Sequence, residues 1–241
     1  MTQAADGGPS RRERTHAATV TEIKDVSRRL MAEQGTASLN LRPVARAMGM
    51  TPSALYRYFD SRDALLTALI VDAYDDVGSV AEQTAASLPP GIGSLAAVMT
   101  IAHAFRDWAV AQPHAYGLLF GAPVPGYEMP EDQVLSHKLR VSGVLLDLMR
   151  AGLAGGLQLP LTDDELEPGL RHAMQLVCDA EFTDLAPAAA ATALACWSTL
   201  LGALSVEIFG HLPPEAVPAR RELFALTMRR QLIALGLPAD T

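Results

Sequence analysis

Along most of this chain the large apolar residues recur every three or four positions, the period of a helix that buries one face. The recurrence breaks at clusters of Gly, Pro and polar residues: 35–40, 49–52, 60–61, 88–93, 112–114, 121–130, 155–162, 184–187 and 210–218. No stretch of the sequence alternates apolar and polar residues as a half-buried strand must, and no internal repeat is visible. Nine or ten helices fit between the breaks, so the expected fold class is all-α. With 241 residues, 49% of them apolar, the chain can bury a full core, which excludes wholesale disorder.

The most apolar stretch, 185–206, carries no charge and is long enough to cross a bilayer. Eight of its residues are alanine, however, and Thr192, Ser198, Thr199 and Ser205 dilute it further. Leu194, Trp197, Leu201, Leu204 and Ile208 follow one another at spacings of 3, 4, 3 and 4, which makes a seam for another helix. Ala191, Ala195, Thr199 and Gly202 allow close backbone approach on the other face. A buried helix in a water-soluble protein is expected, with no membrane as partner. The first ten residues include Gly7, Gly8 and Pro9 and have no apolar run behind a basic start. They read as a disordered arm, not a secretion signal, in a cytoplasmic protein. Cys178 and Cys196 are too few for a disulfide scaffold and read as core thiols.

A net charge of −8 and a pI near 5.2 argue, as averages, against nucleic acid. The average hides a split: residues 1–71 hold 10 Lys and Arg against 7 Asp and Glu, whereas residues 72–241 hold 9 against 20. Within the electropositive part, a first helix from about Arg12 to Gln34 carries the stripe Val20, Ile23, Val26, Leu30 and Met31 and ends at Gly35. Asn40 caps a second helix, Leu41 to Met48, in which Pro43 sits in the first turn, where its missing N–H has no helical partner anyway. After the turn Gly49-Met50, Thr51 caps a third helix, Pro52 to Phe59. Ser61 then caps a long helix from Arg62 to about Ala86.

Two short helices joined by a tight Gly-containing turn describe a helix-turn-helix. Val44, Met48 and Leu55 pack the pair on the first helix, and Ala45 is small where the helices approach. The third helix exposes Thr51, Ser53, Tyr56, Arg57 and Tyr58, a polar, aromatic and basic surface with no acid, of the size that enters a major groove.

At these residues the chain resembles the tetracycline-repressor (TetR) family of transcriptional regulators. The resemblance runs through Ile23 to Gly35, Leu39 to Ala45 and Met48 to Phe59, and closes on Ser61-Arg62-Asp63-Ala64-Leu65-Leu66. It departs at Pro43, where a polar residue is usual, and at Arg28, where an apolar one is common and which suits a domain edge. The resemblance implies an all-α homodimer with a three-helix DNA-binding head and a helical-bundle body. The corresponding division is a disordered arm at 1–11, the helix-turn-helix domain at 12–60, and a ligand-binding and dimerisation domain at 61–241. It further implies that Arg42 reads a base edge and that Thr51, Pro52, Ser53 and Ala54 line the leading end of the recognition helix. Tyr56 and Tyr58 would contact phosphate and sugar, Arg57 either, and Arg62 would clamp the DNA backbone from a helix N-terminus. Arg11, Arg12 and Arg14 make a flexible basic arm or a solvated tail.

In the body, Trp108, Gln112-Pro113-His114, Tyr116 to Gly121, Trp197 and Phe209-Gly210-His211 resemble one recurrent type of TetR-family C-terminal domain. The last two helices, about 188–209 and 219–236, are expected to form the dimer interface, with Leu223, Leu226, Met228, Leu232, Ile233 and Leu235 supplying apolar surface. Candidates for lining an internal ligand pocket are His103, Phe105, Trp108, Tyr116, Phe120, His172, Met174, Cys178, Phe182 and Trp197, although ordinary core packing explains each as readily. Neither His103 nor His172 has a second ligand at metal-binding spacing, so no metal and no cofactor are expected. Phosphate-cradling Gly loops, a Gly-x-Ser-x-Gly elbow and His-Glu-x-x-His are all missing from the sequence, which speaks against an enzyme. A helical enzyme and an interaction module without DNA are the alternatives. The expected function is a ligand-responsive regulator, by default a repressor, that binds an inverted repeat in double-stranded DNA as a homodimer. A small, mostly apolar effector would release it, since body charges fall at helix ends and exposed faces and leave an anion few counter-charges.

Overall fold

The computed structural model describes residues 10–181 and 184–238. It contains ten α-helices and no strand among the described residues: α1 (Arg11–Gln34), α2 (Leu41–Ala47), α3 (Pro52–Leu55), α4 (Arg62–Ala86), α5 (Ser94–Ala111), α6 (Pro113–Phe120), α7 (Glu131–Ala154), α8 (Pro168–Glu181), α9 (Pro187–Ile208) and α10 (Arg220–Ala234). They form two units, one of residues up to 72 with 117–134, the other of 73–116 with residues from 135 onward. The border falls inside α4 rather than before it, because Leu65, Leu66, Leu69 and Ile70 are all buried in the first unit.

Local chemistry explains each boundary of the first unit. A capping box starts α1: the Ser10 hydroxyl accepts from the Glu13 N–H at 3.2 Å, and the Glu13 carboxylate accepts from the Ser10 N–H at 2.6 Å. Arg11, Arg12 and Arg14 are therefore helical, not the flexible arm the sequence suggested; residues 1–9 lie outside the described residues. Asn40 caps α2 by accepting from the Arg42 N–H at 3.2 Å. Gly49 then adopts φ 66°, and the Met50 N–H closes on the Ala45 carbonyl at 2.9 Å. Thr51 caps α3, accepting from the Ala54 N–H at 3.3 Å. The third helix is shorter than expected: beyond Leu55 the hydrogen bonds tighten, with the Tyr58 N–H reaching the Leu55 carbonyl at 2.9 Å, and the turn delivers Phe59 into the core. Ser61 caps α4 through the Ala64 N–H at 3.0 Å.

Ile23, Val26, Met31, Leu41, Val44, Ala45, Leu55 and Phe59 are buried together with the start of α4. The expected Met48 is only half-buried. Lys24 reaches Asp72 at 2.7 Å and Arg28 pairs with both Asp25 and Asp72, so Arg28 does sit at an edge.

In the second unit α9 packs on α8, α10 and α5. Gly78 admits α7 closely: a Cβ there would lie 3.0 Å from the Cβ of Arg140. Arg140 reaches Asp75 at 2.7 Å, Ser79 at 3.1 Å and Glu82 at 2.6 Å, while His137 bonds Asp75 at 2.7 Å, which clasps α7 to α4. Burial pushes the Asp75 carboxyl up, but the hydrogen bonds from His137 and then Arg140 outweigh it and hold it below its usual range; Arg140 likewise holds Glu82 low against burial. Between α5 and α9, Arg106 forms a two-pronged pair with Glu207 at 2.9 and 2.5 Å, and both side chains are nearly buried, 5% and 6% exposed. The Tyr116 hydroxyl donates to the Leu201 carbonyl at 2.9 Å and lies 2.9 Å from the Ser205 hydroxyl, and burial raises its pKa.

The uncharged segment forms α9, the one described helix long and apolar enough to cross a membrane. Only 28% of its most apolar window is buried within the chain, so the helix expected to be buried is half-covered. Its expected seam is divided: Leu204 is buried, Trp197, Leu201 and Ile208 are half-buried, and Leu194 is exposed.

Candidate functional site

The exposed face of the first unit brings together Arg42, Thr51, Pro52, Ser53, Tyr56 and Arg57. Ala54, Tyr58 and Arg62 are half-buried beside them. Arg46, absent from the expected set, is exposed one turn after Arg42 on α2. No acid occurs between Leu41 and Phe59, so nothing on this stretch opposes a polyanion.

A second feature lies at the start of α1. Arg11, Arg12, Thr15 and His16 line a groove of about 670 Å³ with Arg57 and Tyr58. The His16 and Tyr58 rings lie 5.0 Å apart at 32°, which fixes the Tyr58 ring against α1. Thr15 and His16 lie within the helix the sequence predicts but off its apolar stripe, so nothing there set them beside Arg57 and Tyr58; the Ser10/Glu13 signature was the signal that the arginines before them are helical too. Arg62 carries a duty not expected of it: its Nε donates to the Leu39 carbonyl at 2.9 Å and so holds the segment before α2. With guanidiniums on two sides of a groove and short polar side chains on a groove-sized helix, the unit can neutralise phosphates while presenting donors to base edges.

Comparison with known proteins settles what the unit is. Residues 23–69 match the bacterial regulatory proteins of the tetR family, and residues 98–231 match the tetracyclin repressor-like C-terminal domain. The chain belongs to the TetR family. The HTH-type transcriptional regulator Rv1816 of Mycobacterium tuberculosis is 37% identical over 191 residues, 79% of this chain and 80% of that protein. The crystal structure of the regulatory protein SCO4313 superposes with a TM-score of 0.73 and 34% identity, covering 92% of this chain and 99% of the other. A tetR-family regulatory protein from Rhodococcus RHA1 shares the fold alone, with a TM-score of 0.63 at 16% identity over 91% of this chain and 98% of its own. This TetR-family chain is thus a transcriptional regulator with a helix-turn-helix head, and the names of its relatives denote regulators rather than enzymes.

The TetR-type body contains a recess of about 300 Å³ between α7, α8 and α9. Leu146, Met174 and Ala190 on its wall are buried, whereas Leu135, Lys138, Val177 and Leu194 are exposed and mark the mouth. A smaller cavity of about 50 Å³ adjoins it, sharing Leu145 and Ala193 and reaching Cys196 and α10; burial pushes the Cys196 thiol up to about 11, so it stays neutral.

Of the ten residues expected around a ligand, Met174 and Trp197 line the recess. Phe105 is buried edge-on against Trp108 and Trp197, each 5.7 Å away, and Trp108 and Tyr116 are core residues. His103 faces Phe224 at 5.5 Å, Cys178 lies in the core with Leu146 and Met174, and His172 is exposed on α8. Phe120 falls in the first unit, and Phe182 lies outside the described residues.

Proposed function

We propose that the protein is a cytoplasmic repressor that binds an inverted-repeat operator as a homodimer and lets go when a small, mostly apolar molecule occupies its body. The observation that carries the reading is the pairing of one acid-free, exposed recognition surface per chain with an exposed apolar face near the C-terminus. Arg42 and the leading residues of α3 would read bases. Arg57, Tyr56 and the α1 groove would hold phosphates.

For the dimer face, Leu223, Leu226 and Ile233 of α10 stand exposed, as do Leu194, Val206 and Phe209 on or just after α9. Leu226 is 54% exposed. Met228 and Leu232, expected on that face, are instead buried within the chain. A two-fold pair of such faces would bury the apolar surface and present two heads to a palindrome. Release follows from linkage: a ligand that prefers the body conformation with mis-spaced heads weakens DNA binding, typically by roughly 5–150-fold.

The test is selection of sites from random duplexes, followed by footprinting and sedimentation of the free and DNA-bound protein. A protected inverted repeat and a stable dimer are expected; a monomer protecting a single half-site would refute the proposal.

A further inference from the structure

The recess in the body has a one-sided chemistry. Of the twelve residues that line it, ten are apolar, one is Ser142, and one, Lys138, is charged. Lys138 has no ion pair among the described residues, whereas its neighbours on α7, His137 and Arg140, are both bonded to acids of α4. Lys138 and Ser142 are one turn apart and so share a face of α7. The Ser142 hydroxyl makes only a long 3.3 Å bond to the Leu139 carbonyl, so it is available to turn toward a bound group. No acid lines either cavity, which leaves a cationic ligand without a counter-charge.

We propose that this recess binds an aliphatic carboxylate of medium chain length, its head held at the mouth by Lys138 and Ser142 and its chain directed onto Leu146, Met174 and Ala190. The inference rests on reading the body as the effector site and narrows the effector class. A single ammonium matches a monoanion; a dianionic phosphate would bring one charge too many into an apolar mouth. A volume of about 300 Å³ holds on the order of ten non-hydrogen atoms, taking ~30 Å³ for each. A longer chain would extend past Leu145 and Ala193, which line both, toward the neutral cavity bounded by Thr192, Cys196 and Leu232. The residue at 193 therefore limits chain length. An anion is thereby accommodated by a single counter-charge, Lys138, which nothing in the residue pattern of α7 sets apart.

The experiment is calorimetric titration of the full chain with hexanoate, octanoate and decanoate, and with decanol and decylamine, all below their aggregation concentrations. One decanoate per protomer is expected, with affinity rising about fourfold per added methylene through the series. Lys138→Gln should weaken decanoate at least tenfold and leave decanol unchanged. Ala193→Phe should abolish the gain from octanoate to decanoate while sparing hexanoate. Decanol or decylamine binding as tightly as decanoate, or a Lys138→Gln variant with unchanged decanoate affinity, would overturn the carboxylate assignment. Binding of none of the five would overturn the site itself. DNA affinity with and without decanoate is read separately on the selected duplex. Decanoate that binds as expected but leaves DNA affinity unchanged would keep the site and refute its role as effector site.

Discussion

The residues proposed to meet DNA and those that line the body recess are built from contrasting material. In the head they are mostly arginine, tyrosine, serine and threonine, exposed or half-buried on helices whose caps, Asn40, Thr51 and Ser61, can each be named with a bond. In the body, Lys138 and Ser142 apart, they are leucine, alanine, valine, methionine and tryptophan, several of them also members of the core cluster. A surface that meets a polymer of fixed negative charge must show its purpose in composition. A recess is a local shortfall of packing between helices, and composition does not report it.

This contrast can be pressed hardest where the body breaks its own rule. Arg106 and Glu207 are a nearly buried ion pair in a unit whose other ion pairs, such as Arg140 with Asp75 and Glu82, lie nearer the surface. Glu207→Ala should lose about 3–5 kcal/mol in chemical denaturation, since the nearly buried Arg106 guanidinium then keeps only its longer 3.3 Å bond to the half-exposed Asp107. The double variant Arg106→Met with Glu207→Leu should come close to the wild type. If the double variant is as unstable as the single, charge and not packing holds the body, and the contrast fails.

A smaller effect separates roles within the head. Arg42→Ala should lose about 1–3 kcal/mol per half-site and relax preference at one base pair, read by competition among variant duplexes. Replacing Arg11 and Arg12 together by Ala should lower the salt slope by roughly 2 per protomer with sequence preference intact. Arg62→Ala should lower the melting temperature as well as DNA affinity, because the Leu39 carbonyl loses its donor. Equal salt slopes for all three would merge roles that the geometry keeps apart.

Next comes the backbone. Gly49→Ala forces a side chain into φ 66°, and about 1–2 kcal/mol of stability should go with it. The smallest expected effect is a pH slope in the body. Burial lowers the His103 pKa below 6.5, helped by the charges of Arg221 and Arg106 and opposed by Asp107, and its Nδ1 is buried without a partner. The unfolded imidazole takes up a proton as pH falls through about 6.5 while the folded one resists, so stability declines below that pH. His103→Phe should flatten the decline of the melting temperature between about pH 6.5 and 5. The carboxylates of Asp75, held low by His137 and Arg140, and of Glu82 and Asp107, held low by Arg140 and Arg221, titrate beneath that window.

Legibility in the sequence followed the same divide. The all-α class, the order of the helices and the turn at Gly49 were readable, because caps and positive φ are properties of single residues. The helical state of Arg11 to Arg14 was also written in Ser10 and Glu13, but those two residues lie outside the apolar stripe that organised the reading. In the body, Phe105, Trp108 and Tyr116 drew attention as large aromatic residues, and for that same reason they fill the core. Leu135, Leu139, Leu145 and Leu146 of α7 carry no mark that sets recess-lining leucines apart from packed ones; only the course of α8 and α9 decides. The half-covered state of α9 was hidden likewise, since periodicity counts faces without saying which of them stays open.

The two acids Asp72 and Asp75, three residues apart on α4, bear on how such regulators can be recombined. Asp72 belongs to the grip on Lys24 and Arg28 of α1, whereas Asp75 begins the clasp that Arg140 of α7 extends to Glu82. A chimaera that exchanges residues up to 72 together with 117–134 would leave each of these ionic clusters with a single donor, whereas exchanging residues up to 72 alone would divide the first unit. A splice moved only a turn and a half onward, after Gly78, would cut through the clasp, pairing a foreign Asp75 with a native Glu82 across one guanidinium.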